Sequence, residues 1–181
     1  NNWISTIAED SKGNIWLGTW GGGITKISED GLKTFDKENG LDDHKIRKII
    51  EDVEGNILIG TNEHGLTIFK GEKFITFGVD DGLIDQQVWA VTQDKDGKYW
   101  FGTNNGISVY SPNVAGQKFM HYSNESHAIG SQMRYLKNDN DGNVWLGTND
   151  NGVSMYNYKT GRFEYNPVIN RYIRTQQVTA K

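Results

Sequence analysis

DSKGNIWLGT, residues Asp10–Thr19, returns as DVEGNILIGT at Asp52–Thr61, DKDGKYWFGT at Asp94–Thr103 and DNDGNVWLGT at Asp139–Thr148. Self-similarity at a fixed period marks a repeat architecture before any single residue is weighed. The turn glycines Gly13, Gly55, Gly97 and Gly142 stand 42, 42 and 45 residues apart. That period fits a four-stranded propeller blade of roughly 40–45 residues and is too long for leucine-rich or ankyrin units.

Each repeat divides into four strands. An apolar-rich stretch runs into the aspartate, as in WISTIAED, KIRKIIED, VWAVTQD and MRYLKND. In the D-x-x-G turn that follows, the Asp side chain bonds nearby backbone N–H groups and Gly supplies the positive φ of a tight hairpin. The second strand carries Gly18, Gly60, Gly102 or Gly147 near its end, where a missing side chain implies a bulge or the close approach of another backbone. A polar, glycine-bearing loop leads to the third strand, GITKI, GLTIF, GISVY or GVSMY, and the outer strand ends on Phe35, Phe77, Tyr122 or Tyr165. The expected fold is all-β, with four antiparallel propeller blades at residues 3–41, 45–83, 87–130 and 132–167 and the first strand of a fifth at 171–180. Blades this short close only a narrow ring in fours, so the array is expected to be part of a larger propeller, with a four-bladed ring or a ring completed by two chains as alternatives. Neighbouring blades or a second chain are accordingly expected partners. Trp16, Trp100 and Trp145 share one repeat position and are expected to pack between blades, each burying about 150–250 Å². Trp145→Ala should then cost several kcal/mol through a core cavity.

The composition agrees with many short strands and tight turns: 22 glycines against two prolines, with Trp, Tyr and Phe together at 12%. A net charge of -4 provides no basic stripe for phosphates, which argues against nucleic acid and anionic membrane surfaces and favours neutral or weakly charged ligands. Zero cysteines exclude disulfides, thiolate catalysis and cysteine-rich zinc sites. No apolar stretch approaches the ~20 residues of a membrane span, so this segment is expected to make no direct membrane contact, and any export or anchoring signal is expected outside it.

The unit D-x-x-G-N-I-W-L-G-T-x-x-G-G-[IL], preceded by GLDDHKI or GLIDQQV, resembles the two-component regulator propeller repeat over nearly the whole chain. The resemblance implies a periplasmic sensor region of a membrane-bound bacterial histidine kinase, typically of the hybrid kind that detects glycan fragments. Two departures stand out: Leu58 replaces the tryptophan of the second repeat, and AIG at Ala128–Gly130 replaces the GL before the fourth.

In a propeller the first strand of each blade is innermost, so its first residues and the loop between the second and third strands open on one end of the central channel. Five residues before each turn aspartate stand Ser5, Arg47, Trp89 and Arg134, while the neighbouring register keeps Ile7, Ile49, Val91 and Leu136. The second set reads as core and the first as channel mouth. Arg offers a planar fork for carboxylates or sugar hydroxyls, and Trp a flat face for a sugar ring. His44, Trp20, Asn62, His64, Asn104, Asn149 and Asp150 fall on the same face, although Asn and Asp in such loops commonly serve turn geometry. An oligosaccharide or other small polar ligand is the expected partner.

No cofactor or metal is expected. His44, His64, His121 and His127 show neither H-x-x-x-H nor H-E-x-x-H spacing. A calcium loop fails because Thr92 and Lys137 occupy its first position. The expected function is a non-catalytic, ligand-sensing or scaffolding propeller module. One alternative is a lyase of the streptogramin-inactivating type, for which His64 beside Glu63 is the local acid–base candidate. The other is a protein-docking scaffold.

Overall fold

The computed structural model describes residues 3–112, 114, 119–127, 129–165, 167 and 169–171. Four four-stranded antiparallel sheets follow one another: β1–β4 (Ile4–Glu9, Ile15–Thr19, Ile24–Ser28, Gly31–Phe35), β5–β8 (Ile46–Glu51, Ile57–Thr61, Leu66–Lys70, Lys73–Phe77), β9–β12 (Val88–Gln93, Tyr99–Thr103, Gly106–Tyr110, Met120–Tyr122) and β13–β16 (Met133–Asn138, Val144–Thr148, Val153–Asn157, Arg162–Tyr165). Each is a meander paired in chain order. The first strands form the inner wall, with β1 packed on β5, β5 on β9 and β9 on β13. The expected strand at 171–180 lies outside the described residues except for Arg171, whose backbone is helical.

The aspartate of each turn organises its hairpin. Asp10 Oδ1 accepts from the backbone N–H groups of Lys12 (3.0 Å) and Asn14 (2.8 Å), while Oδ2 accepts from the Trp16 indole at 2.8 Å. Asp94–Trp100 and Asp139–Trp145 repeat the indole bond at 2.8 Å. The second blade, with Leu58, has no indole to donate, and the hydroxyl of Tyr99 from the next blade takes over at 2.5 Å from Asp52 Oδ2. Burial pushes Asp52 upward, but the bonds from Tyr99 and Asn56 outweigh it and hold the carboxyl below its ordinary range. Asp10 follows the same pattern, its burial outweighed by Trp16 and Asn14.

Three apolar clusters fill the three interfaces between successive blades. Trp16, Phe35 and Ile46 belong to the first, Leu58, Val88 and Phe101 to the second, and Trp100, Met133 and Leu146 to the third. Short 3-10 turns at Lys37–Asn39 and Val79–Asp81 lead into Leu41 and Leu83, which plug the first two interfaces. At the altered fourth entry Ile129 is equally buried and does the same for the third.

The expectation for Trp145 needs correction. Trp16 and Trp100 are each 2% exposed beneath the following blade, whereas Trp145 is only partly buried, because no following blade lies over it among the described residues. On the opposite side of the array Ile7 is 63% exposed, while its equivalents Ile49 and Val91 are 1% and 2%.

Candidate functional site

The channel-mouth register coincides with an irregularity in every inner strand. β1 pairs with β2 through Ile4↔Thr19 and then Thr6↔Gly18, which leaves Ser5 as the extra residue of a bulge. The same skip isolates Arg47 between Ile46 and Lys48, Trp89 between Val88 and Ala90, and Arg134 between Met133 and Tyr135. A bulge re-aims the side chain of its extra residue, and here all four turn toward one axial cavity of about 460 Å³ lined by Ser5, Arg47, Trp89 and Arg134.

The glycine facing each bulge lets the next blade's inner strand lie close against the second strand. A Cβ on Gly18 would stand 2.6 Å from Ile46 Cγ2, on Gly60 2.8 Å from the Val88 carbonyl oxygen, and on Gly102 2.8 Å from Met133 Cβ. Both readings of these glycines, bulge and close approach, therefore describe the same place. Gly147, with no following blade among the described residues, would meet its nearest neighbour only at 3.4 Å.

At the centre lies the indole of Trp89. The Arg47 guanidinium carbon is 3.1 Å from the ring centre and that of Arg134 is 3.4 Å from it. Two guanidiniums so close to one ring centre collide if they share a face, so they cover opposite faces. The platform expected for a sugar ring at Trp89 is thus already occupied. The separation of the two cations is at most about 6.5 Å by these distances, a repulsion of about 2–3 kcal/mol at an effective dielectric of 20. Burial first and then the Arg134 charge push Arg47 down to about 10, with Asp43 opposing the shift. Burial lowers Arg134 as well.

Neutral amides, not carboxylates, hold these cations. Asn62 Oδ1 accepts from Arg47 Nη2. Asn104 Oδ1 accepts from Trp89 Nε1 at 2.9 Å, and Asn104 in turn donates to Gln87 Oε1 at 2.5 Å. The Asn149 amide lies 3.1 Å from Arg134 Nε with its oxygen turned toward the guanidinium. The second, third and fourth blades so use the residue after their G-T pair to steady their own bulge residue. In the first blade that residue is Trp20, and Arg47 rests over it at 4.6 Å. Gln132, at a positive φ of 51°, accepts from Arg134 Nη2 at 2.8 Å; local strain of this kind concentrates at binding sites. Arg47 Nε and Arg134 Nη1 are buried with no hydrogen-bond partner.

A second cavity of about 500 Å³ shares Ser5, Arg47 and Trp89 with the first and adds Trp3, Ile4, Trp20 and Ile46. Trp3 is 66% exposed, its ring centre 6.0 Å from that of Trp20.

The structure thus brings Arg47, Trp89, Arg134 and Asn149 to the axial cavity and Trp20 to the adjoining one, with Asn62 and Asn104 as positioning residues. His44, His64 and Asp150 line neither cavity. The His44 side chain is exposed while its carbonyl accepts from Gly21 and Gly23. His64 Nδ1 is 3.6 Å from Asp43 Oδ2. Asp43 is pushed up by burial but held below its usual range by the N–H groups of Lys45 and Glu63. Asp150 caps the fourth-blade entry by accepting from the backbone N–H of Ser131 at 2.9 Å and its hydroxyl at 2.7 Å. Gln132, Gln87 and Trp3 are additions that no repeat pattern singled out.

Comparison with known proteins follows the same lines. Residues 1–21, 82–105 and 129–150 match the two-component regulator propeller family; the Leu58 repeat lies outside these stretches. The extracellular domain of a hybrid two component system protein from B. thetaiotaomicron is 28% identical, with a TM-score of 0.76 over 88% of this chain. The chain spans only 22% of that domain. Virginiamycin B lyase from Staphylococcus aureus (15% identical, TM-score 0.74, 93% of this chain and 57% of that one) and a streptogramin B lyase (18%, 0.71, 89% and 53%) share the fold. No curated protein sequence matches the chain.

Proposed function

Because this chain is built of two-component regulator propeller repeats, we propose that it is the ligand-sensing part of an extracellular or periplasmic sensor region, binding a carbohydrate-like ligand at the axial cavity and performing no chemistry on it. One observation carries this reading: the bulge residue of every blade faces a single cavity. Rigid strands thereby present side chains from four separate sheets to one ligand. A ligand that touches several blades would bias their relative packing, which is how a binding event becomes a signal in a repeat array.

The exposed apolar faces around Ile7 and Trp145 favour neighbouring blades or a second chain as partners. In a kinase-linked receptor such contacts would relay the change. A lyase would need an acid–base group within hydrogen-bond reach of its substrate, and the pair His64–Asp43 lines neither cavity. Calorimetry with neutral and acidic oligosaccharides tests the proposal. Binding that disappears in the Arg47→Ala/Arg134→Ala double variant while melting stays near the parent value supports it. Equal binding by parent and variant rejects the site.

A further inference from the structure

Two arginines facing one cavity without an acidic partner need a counter-charge. Across the described residues, an ion pair joins Lys45 to Glu63 and His64 lies 3.6 Å from Asp43, but neither Arg47 nor Arg134 pairs with a carboxylate. The cavity lining adds Lys48 and contains neither Asp nor Glu. Each guanidinium carries five N–H donors, yet the contacts found are to neutral amide oxygens, and one nitrogen of each is cut off from water with no partner at all. Both cations are partly desolvated and mutually repelling, stacked on the two faces of one indole. The indole faces and the amide oxygens offset part of that cost, but no carboxylate pairs with either guanidinium among the described residues, whereas an oxyanion at the rim of the indole would meet both forks together.

Beside Arg47 the second cavity supplies exposed Trp3 next to Trp20, an aromatic shelf suited to the apolar face of a sugar ring. We propose that the site selects an acidic sugar: a pyranose bearing a carboxylate or sulfate, its oxyanion on Arg47 and Arg134 and its ring against Trp3. This deepens, and rests on, the reading of the axial cavity as a carbohydrate-sensing site. It also reverses the preference for neutral ligands suggested by the overall charge of the chain.

The test is thermal melting of the 181-residue chain with glucuronate, glucose 6-sulfate, glucose, acetate and inorganic sulfate. At about ten times its Kd, mass action by an acidic sugar should raise Tm by about 3–6 °C for a chain of this size. Glucose should give no rise, and added salt should weaken the effect. The stronger of the two sugar acids identifies the oxyanion. Arg47→Gln and Arg134→Gln should each abolish the shift without lowering the ligand-free Tm, since each relieves the repulsion between the two guanidiniums. Trp3→Ala should reduce the response to sugar acids and leave that to acetate unchanged. Equal shifts with acetate or inorganic sulfate would mean an adventitious ion only and overturn the proposal. Shifts with glucose or neutral oligosaccharides but not with the acids would overturn acid selection and leave carbohydrate sensing standing. No shift with neutral or acidic sugars would overturn both.

Discussion

Replacing Trp100 and Trp145 by alanine, separately, tests how the blades are held together. Both occupy the same repeat position and both donate to their turn aspartate at 2.8 Å, so the local hydrogen bond is matched. The difference is what covers the ring. Trp100 is 2% exposed, stacked at 18° on Tyr122 and 5.0 Å from Tyr156 of the next blade, whereas Trp145 is partly exposed. At about 25 cal/mol per Å², losing a fully buried indole of ~150–200 Å² costs about 4–5 kcal/mol, within the 3–5 kcal/mol typical of aromatic-to-alanine cavities. Trp145→Ala should cost about 1–2 kcal/mol because part of its ring already faces solvent. At about 2–4 °C per kcal/mol for a chain of this length, Trp100→Ala should lower Tm by about 10–15 °C and Trp145→Ala by about 3–6 °C. Melting followed by far-UV circular dichroism separates the two. Equal losses, or a larger loss at Trp145, would refute the assignment of these rings to inter-blade packing.

Tyr99→Phe removes a buried donor to a carboxylate and should destabilise the chain by about 1.5–3 kcal/mol; a double-mutant cycle with Asp52→Asn should recover at least about 1 kcal/mol of coupling if the 2.5 Å bond is responsible. Gly60→Ala drives a Cβ to 2.8 Å from the Val88 carbonyl and should cost about 1–3 kcal/mol, while Gly147→Ala, at 3.4 Å, should be nearly neutral in the same denaturant titration. Acid unfolding should follow the turn carboxylates. The Trp145 and Asn143 hydrogen bonds lower Asp139 to about 2, and Asp10 and Asp52 also sit below their ordinary value. Their contribution is therefore complete above the ordinary carboxylate pKa and is lost as pH falls from about 4 toward about 2. An Asp10→Asn variant should show a shallower loss of Tm across that window.

The blades were legible because their determinants are local: D-x-x-G turns, alternating strands and a glycine at a fixed offset repeat with the period of the fold. The register of Ser5, Arg47, Trp89 and Arg134 was legible for the same reason, since a position counted from each turn keeps its place in the sheet. What these residues do to each other was not legible. The stack of Arg47, Trp89 and Arg134 joins three blades, and no pattern within one repeat encodes a contact between repeats. The donation from Tyr99 to Asp52 is hidden in the same way, as a substitution in one blade answered by a hydroxyl from the next. Trp145 was misjudged because equal sequence positions do not guarantee equal burial: its repeat is complete, but the blade that would cover it is not among the described residues.

The bulge links the construction of the propeller to its proposed chemistry. The next blade's inner strand approaches closely where Gly18, Gly60 and Gly102 of the second strands leave room, and at that level the glycine's partner strand within its own blade carries one residue too many for the ladder. That extra residue contributes no paired backbone to the sheet, so its side chain can change from Arg to Trp between the second and third blades while Ile46, Ile49, Val88 and Val91 stay in the core. Ile46 and Ile49 on either side of Arg47 are 0% and 1% exposed, which fixes the strand that carries the arginine. A position left out of the strand ladder in every blade, yet aimed at one cavity, is where selection for different ligands can act at little structural cost. Exchanging Arg47 and Arg134 for the residues found at other bulges should therefore change what the cavity binds well before it changes how the chain folds.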